Sequence, residues 1–366
     1  MSVTVGDIER TLFERFPAEW AEPWDRVGLL AGDPGRAVTR VLVSLDPTLG
    51  CIQRALDAGA NVLVTHHPVT LAPVERLLAG PGPSGVLFAA VDAGIALIAA
   101  HTNLDRAPQG AEALPALLGL SPEGVVERSA QLMSRVTVYA PPETADAITS
   151  AMAGVGAGRI GEYERSAFSA AGTGEFTPRN GSTPVAGQPG RHERVEELRI
   201  EMVCQCALTA SVIAAARGAH PYEEPLIVAE EVEIARSKVG LGMLCAPEEG
   251  LTVAALAERA SVRLRARPRV WGDADRPAGP IVTATGSASS LLGDVISSGA
   301  GTLVCGEVRY HDALSAAGSG LAIIECGHDV SEWPLTKPLA EAVRTARGID
   351  SDAVLVEEAS AAWWTA

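Results

Sequence analysis

The sequence predicts an α/β protein made of two related α/β halves with an α+β segment inserted between them. Three observations carry this. Over about the first 130 and last 125 residues, short apolar runs alternate with amphipathic stretches, the rhythm of a parallel sheet covered by helices. The runs GTLVCG and LAIIECG are short and nearly continuous in apolar residues, as expected of strands buried on both faces. Between about residues 130 and 235 the rhythm stops, and residues 171–193 form a long Gly- and Pro-rich stretch without pattern. The expected boundaries are 1–130, 131–235 and 236–366.

Taken in order, MSVTVGDIERTLFERF reads as a surface helix and lacks the charged-then-apolar order of a signal peptide. RVLVSLD (40–46) is a strand, with Asp46 as N-cap and Pro47 at the first position of the next helix. Leu49, Ile52 and Leu56 give that helix its apolar face, and Gly59 stops it. NVLVT is a strand, GVLFAAVDAG a helix and IALIAA (95–100) a strand. In the insert, VTVYAPPETADAITSAMAGVG (136–156) reads as strand then helix. VEELRIEMVCQCAL follows as a strand with Ile200, Met202, Cys204, Cys206 and Leu208 on one face. A helix comes next, then HPYEEP (220–225), read as a structural turn and subunit contact. GLTVAALAERA is a helix, IVTATG a strand and SSLLGDVISSG a helix; GTLVCG (301–306) and LAIIECG (321–327) are the last strands.

Composition narrows the class of function. The 366 residues are 47% hydrophobic, yet no apolar run reaches the roughly 18 residues of a membrane span, so a soluble cytoplasmic protein is expected. Net charge is −16 with no Lys/Arg-rich run, which argues against broad nucleic-acid binding. None of the six cysteines forms C-x-x-C, so neither a zinc ribbon nor a thioredoxin site is supported; buried thiols without disulfides are expected. Gly156, Gly158 and Gly161 spell G-x-G-x-x-G, with Glu175 downstream. They follow a helix and run into a loop, whereas a dinucleotide fingerprint follows a strand and opens a helix.

The chemistry gathers where strands end. NVLVT leads into His66 and His67, IALIAA into His101 and Asp105, GTLVCG into Glu307 and His311, and LAIIECG into His328 and Glu332. In open α/β sheets, ligands bind beyond the carboxyl ends of strands, so these side chains can converge. His328 and Glu332 are four apart and share a face of a helical turn. His66 and His67 just past a strand can serve two neighbouring ions, with Pro68 biasing His67 toward extended backbone. Imidazoles and carboxylates without thiolate suit zinc, manganese, iron, cobalt or nickel. Each residue alone has a plain alternative: hydrogen-bonded loop histidines, Asp105 or Asp46 as caps, Glu332 or Glu307 as solvated charges, His311 as a surface histidine. Three clusters that combine a histidine with an acid, all just after apolar strands, favour a site. Arg106 and Arg309 lie beside it in sequence and can meet phosphates.

WDRVGLLAG (24–32), RVLVSLD (40–46), VLVTHHPV (62–69), HTNLD (101–105), GEVRYHDAL (306–314) and GHDVSE (327–332) occur in the order seen in the Nif-three-like proteins, which the chain resembles across both α/β halves. These are also called GTP cyclohydrolase I type 2 homologues or dinuclear metal centre proteins. GAGRIGEYERSAFSAAGTGEF (156–176) and HPYEEP resemble the insert of the longer bacterial members, similar to the CutA/PII-like α+β fold. The resemblance implies a toroidal homohexamer and two divalent metal ions per subunit. Their ligands would be His66, His67, Asp105, His328 and Glu332, with Glu332 as bridge, His67 and Asp105 on one ion, and His66 and His328 on the other. Asp46, His101, Glu307 and His311 would surround them, with His311 or His101 moving a proton. Arg26 and Asp329 depart from the family pattern, which more often has Asn and an aromatic there. The expected activity is metal-dependent hydrolysis of GTP, another nucleotide or a related small molecule by an activated water. The rivals are a metal-binding regulatory or scaffold protein without turnover, and a metal chaperone or store.

Overall fold

A computed structural model describes residues 2–161 and 163–357. Residues 358–366, inside the expected last segment, lie outside the described residues. The chain forms two compact units, one of residues 1–129 with 236–366 and the other of residues 130–235. In chain order the strands are β1 (Gly28–Ala31), β2 (Val41–Ser44), β3 (Val62–Thr65), β4 (Ala96–Ala99), β5 (Pro122–Ala140), β6 (Phe168–Phe176) and β7 (Glu193–Gln205). They continue with β8 (Ile227–Cys245), β9 (Arg269–Trp271), β10 (Ile281–Ser287), β11 (Thr302–Glu307), β12 (Ala322–Glu325) and β13 (Val354–Val356). The chain passes between the units within β5 and again within β8.

The larger unit holds two sheets of one design. In the first, the order is β1-β4-β3-β2-β13, parallel except for β1. In the second, β8, β10, β11, β12 and β9 lie in that order, with β10–β12 parallel and both flanks antiparallel. Val41, Val43, Val62, Val64 and Ile98 enter the core on one face of the first sheet, while Leu42, Leu63 and Leu97 enter the core on the other. Ile281, Val304 and Ile324 likewise oppose Val282, Leu303 and Ile323 in the second. Two-faced burial is why these strands read as unbroken apolar runs.

Each half also opens the same way. Thr4 and Thr252 cap the helices Val5–Arg15 and Val253–Leu264. The Val5 and Gly6 amides donate to Arg36 and Pro34 carbonyls, and the Val253 and Ala254 amides donate to those of Arg276 and Ala274. Asp33 and Asp273 each close a turn by accepting from the amide two residues on.

The smaller unit runs strand–helix–strand–strand–helix–strand in the order β6-β7-β5-β8, a split β-α-β arrangement. Helices Ala145–Gly154 and Thr209–Ala219 pack Ile148, Met152, Val212 and Ala216 against Val136, Val138, Ile200, Met202 and Cys204. His220 pins the HPYEEP turn: its Nε2 donates to the Tyr139 carbonyl at 2.8 Å and its Nδ1 accepts from the Tyr222 amide at 3.0 Å.

Three local expectations are corrected. Thr48, not Asp46, caps helix Leu49–Asp57, because the Thr48 hydroxyl accepts from the Cys51 amide. Residues 171–176 belong to β6, a mostly exposed edge strand whose small residues carry no apolar pattern. Cys206 is exposed: a 3₁₀ turn begins there and ends the alternation that buries Cys204. All six cysteines are free. Among the described residues no helix is long and apolar enough to cross a membrane.

Candidate metal centre

The centre lies at the carboxyl ends of the parallel strands. The β2–β3 ladder continues past Thr65, as the His66 and His67 amides donate to Ser44 and Leu45 carbonyls at 3.3 and 3.0 Å. Both histidines lie in the bend just past the strand, and their rings go to different partners. His66 is fully buried, with Nδ1 3.1 Å from the Ala100 carbonyl. His67 Nδ1 is 2.8 Å from Asp46 Oδ1.

Strand β4 ends in His101 and the one-turn helix Thr102–Arg106, and β12 ends through Gly327 in the one-turn helix His328–Glu332. Each turn presents a histidine and a carboxylate four residues apart. His101 Nδ1 lies 2.8 Å from Asp25 Oδ1, and Asp25 Oδ2 accepts from the Thr102 amide and hydroxyl. Burial raises the Asp25 pKa, but bonds from His101 and Thr102 outweigh it and hold it well below the usual range. His328 Nδ1 lies 3.0 Å from Glu307 Oε1. A carboxylate or carbonyl only accepts, so each of the four imidazoles donates its Nδ1–H outward and turns its Nε2 inward.

Those nitrogens meet acids. Glu332, almost wholly buried, sets Oε2 2.9 Å from His67 Nε2, and Oε1 3.1 Å from His328 Nε2 and 3.8 Å from His66 Nε2. Asp105 Oδ2 lies 3.7 Å from His66 Nε2, while its Oδ1 accepts from the Thr285 hydroxyl at 3.0 Å. In each of three sets, His66–His67–His101, His67–His328–Glu332 and His66–Asp105–Glu332, the ligand atoms lie within 4.8 Å of one another.

Charge explains what the cluster attracts. Burial pushes the His67 imidazolium down, but hydrogen bonds and charge from Asp46 and Glu332 raise its pKa to about 10. The Glu332 bond, against burial, raises His328 to about 9, with Glu307 adding to it. Burial raises Glu332, and the three histidines outweigh that and hold it far below the ordinary value. The cluster therefore favours positive charge at its middle.

The residues fit a divalent cation. His66 Nε2 is buried and finds no hydrogen-bond partner among the described residues, its nearest carboxylate oxygens being 3.7 and 3.8 Å away. A buried lone-pair donor left open is costly unless a cation or proton fills the gap. Space is kept for the carboxylate: a Cβ at Gly286 would overlap Glu332 Oε1. The donor set is nitrogen and carboxylate oxygen, suited to zinc or a first-row divalent metal.

The sequence profile of Duf34/NIF3 (NGG1p interacting factor 3) matches residues 3–359. The chain belongs to the DUF34/NIF3 family. A relative from Mycobacterium tuberculosis named GTP cyclohydrolase 1 type 2 homolog is 35% identical over 353 residues, covering 94% of this chain and 92% of the relative. One from Halalkalibacterium halodurans with the same name is 30% identical over 336 residues, covering 91% and 90%. Among solved structures, a Bacillus cereus protein related to NIF3 superposes with a TM-score of 0.74 at 29% identity, covering 98% of each chain. A Staphylococcus aureus protein gives 0.81 at 24% identity over 100% and 99%.

Within this NIF3 chain, the structure gathers His66, His67, His101, Asp105, His328 and Glu332 into one cluster. The three sets overlap: His66 is grouped with Asp105, His67 with His328, both with Glu332, and His66 and His67 also with His101. Asp46 and Glu307 touch the centre only through the histidines they hold. His311 is not brought in: it is exposed, with its ring against Tyr310. Arg106 is paired with Glu22 and Glu127 and is not among the residues lining the adjoining cavity. Arg309 does line the adjoining cavity. Asp25, Thr285 and Gly286 escaped the sequence reading. Asp25 stood inside the WDRVG motif, while nothing local marked the other two.

Proposed function

We propose that this protein is a metal-dependent hydrolase whose centre holds two divalent ions through His66, His67, Asp105, His328 and Glu332, with Glu332 shared between them. The buried, unpartnered His66 Nε2 beside the converging Asp105 and Glu332 carboxylates carries the reading. Divalent ions there supply Lewis acidity and lower the pKa of water toward about 7. The chain's own part is positioning. Asp46, Asp25 and Glu307 fix the tautomers of His67, His101 and His328, and Thr285 fixes one oxygen of Asp105. His101, at the cavity wall, is the residue placed to take a proton at Nε2. The name carried by the relatives points to GTP or a related small molecule as substrate. By the family resemblance we extend the proposal to a cytoplasmic homohexamer with a CutA/PII-like insert.

The test is the metal content of the purified chain with hydrolysis of GTP and guanosine, using Glu332→Gln as control. The reading predicts bound metal and turnover in the parent and loss of both in the variant. Full metal content with no turnover of any nucleotide or phosphoester would instead make it a regulatory or scaffold protein.

A further inference from the structure

His67 points its Nε2 at Glu332 while Asp46 holds the other ring nitrogen. On the premise above that the centre holds metal, whatever fixes Asp46 also shapes the metal site. The Asp46 side chain is 46% exposed, and His67 is its one hydrogen-bond partner among the described residues. A half-exposed carboxylate tied at one point keeps rotamer freedom, so its placement depends on its own backbone.

That backbone is gripped from three sides. The Asp46 carbonyl accepts from the Thr48 amide at 3.2 Å, the Cys51 thiol at 3.0 Å and the Ser44 hydroxyl at 3.3 Å. Ser44 and Cys51 are buried, and both also face one oxygen from the far end of the chain. Strand β13 runs parallel to β2 with Val356 opposite Val43, and the Glu357 amide donates to the Val43 carbonyl at 2.8 Å. This register brings the Glu357 carboxylate to the Asp46 turn. Its Oε2 accepts from the Ser44 hydroxyl and lies 3.2 Å from Cys51 Sγ. Arg54 pairs with its Oε1, the kind of partner a nearly buried carboxylate needs.

Hydrogens are scarce in this cluster. A hydroxyl and a thiol have one each to give. Ser44 gives its hydrogen to Glu357. Thr48 Oγ1 and Arg54 Nη2 both donate to Cys51 Sγ, each at 3.2 Å, and the thiol's own hydrogen is left for the Asp46 carbonyl. Without Glu357, the Ser44 hydroxyl would compete with the thiol for that carbonyl, and half-exposed Arg54 would lose the anion that anchors it beside the sulfur.

We infer that Glu357 is a positioning residue of the metal centre. It fixes Ser44 and Cys51 against the Asp46 backbone, and Asp46 in turn fixes the His67 ring, so β13 serves the centre without supplying a ligand. Cobalt(II) affinity of the full chain, measured by competition with a chelating dye, tests this beside thermal unfolding of the metal-free samples. Glu357→Ala should weaken cobalt binding about three- to tenfold, the net effect of about one hydrogen bond, and should shift the visible spectrum of the bound ion. Glu357→Gln keeps an acceptor oxygen for Ser44 and Cys51 and should recover most of the loss. In an Asp46→Asn background, Glu357→Ala should cost no more than about twofold further, because both changes act along one path. A lowered Tm with parental affinity and spectrum would make Glu357 merely structural and overturn the inference. A loss as large in the Asp46→Asn background as in the parent would overturn it too. A parent chain that binds no cobalt defeats the metal centre and this inference together, whereas a binding parent matched by Glu357→Ala defeats this inference alone.

Discussion

Replacing Gly286 by alanine separates the metal centre from the fold. Gly286 lies on β10 with φ +59°, and an added Cβ would overlap Glu332 Oε1 and stand 3.3 Å from His328 Nε2. The left-handed backbone costs a non-glycine residue about 1 kcal/mol. The overlap falls on the end of a side chain rather than on backbone, so the sheet itself is not forced apart. Total destabilisation should be about 1–2 kcal/mol, lowering Tm by about 2–4 °C per kcal/mol. The carboxylate, however, must retreat by about 1 Å to regain ordinary contact distance. Metal–ligand bonds tolerate only about 0.2 Å, so affinity should fall at least tenfold, the lower end of what loss of an orienting partner costs. The assay pairs thermal unfolding of the metal-free chain with metal stoichiometry and the visible spectrum of the cobalt-loaded chain. A variant with parental metal content and an unchanged cobalt spectrum would refute the placement of Glu332 at the ion.

Metal uptake should release protons. With pKa values raised to about 10 and 9, His67 and His328 are protonated at pH 7 in the metal-free protein, and ligation needs both rings neutral. Affinity should therefore fall as pH drops below 7 and rise toward about pH 9–10; calorimetric heats that do not vary with buffer ionisation would contradict this. Asp46→Asn should weaken metal binding about 10–100-fold with little loss of stability, because Thr48 caps the following helix; a competition titration with a chelating dye reads it. His311→Ala should leave metal content and the cobalt spectrum unchanged, since the ring faces Tyr310. In the folded protein, a thiol reagent should modify Cys206 first. The other five cysteines are buried, and burial pushes the Cys245 and Cys326 thiols up to about 12; mass mapping identifies the labelled residue.

The strands of the larger unit were open to reading because each is local. VLVS, VLVT, ALIA, TLVC and AIIE are buried on both faces, so their pattern lies in four consecutive residues. Strand β6 was hidden for the opposite reason: an edge strand exposed along most of its length needs no apolar signature. Asp46 is by chemistry the better cap than Thr48, yet Thr48 caps the helix while Asp46 bonds His67, 21 residues away.

The residues by themselves determined that histidines and acids follow the parallel strands, and that His328 and Glu332 share one helical turn. Only the tertiary structure decided that His101 joins the cluster while His311 faces outward, and that Asp25 rather than solvent holds His101. It also decided that Gly286 leaves room for a carboxylate on another element. Periodicity and capping are written over a few neighbouring positions. Convergence is set by which sheet edges the cores bring together, as with Thr285 and Asp105, which bond across 180 residues.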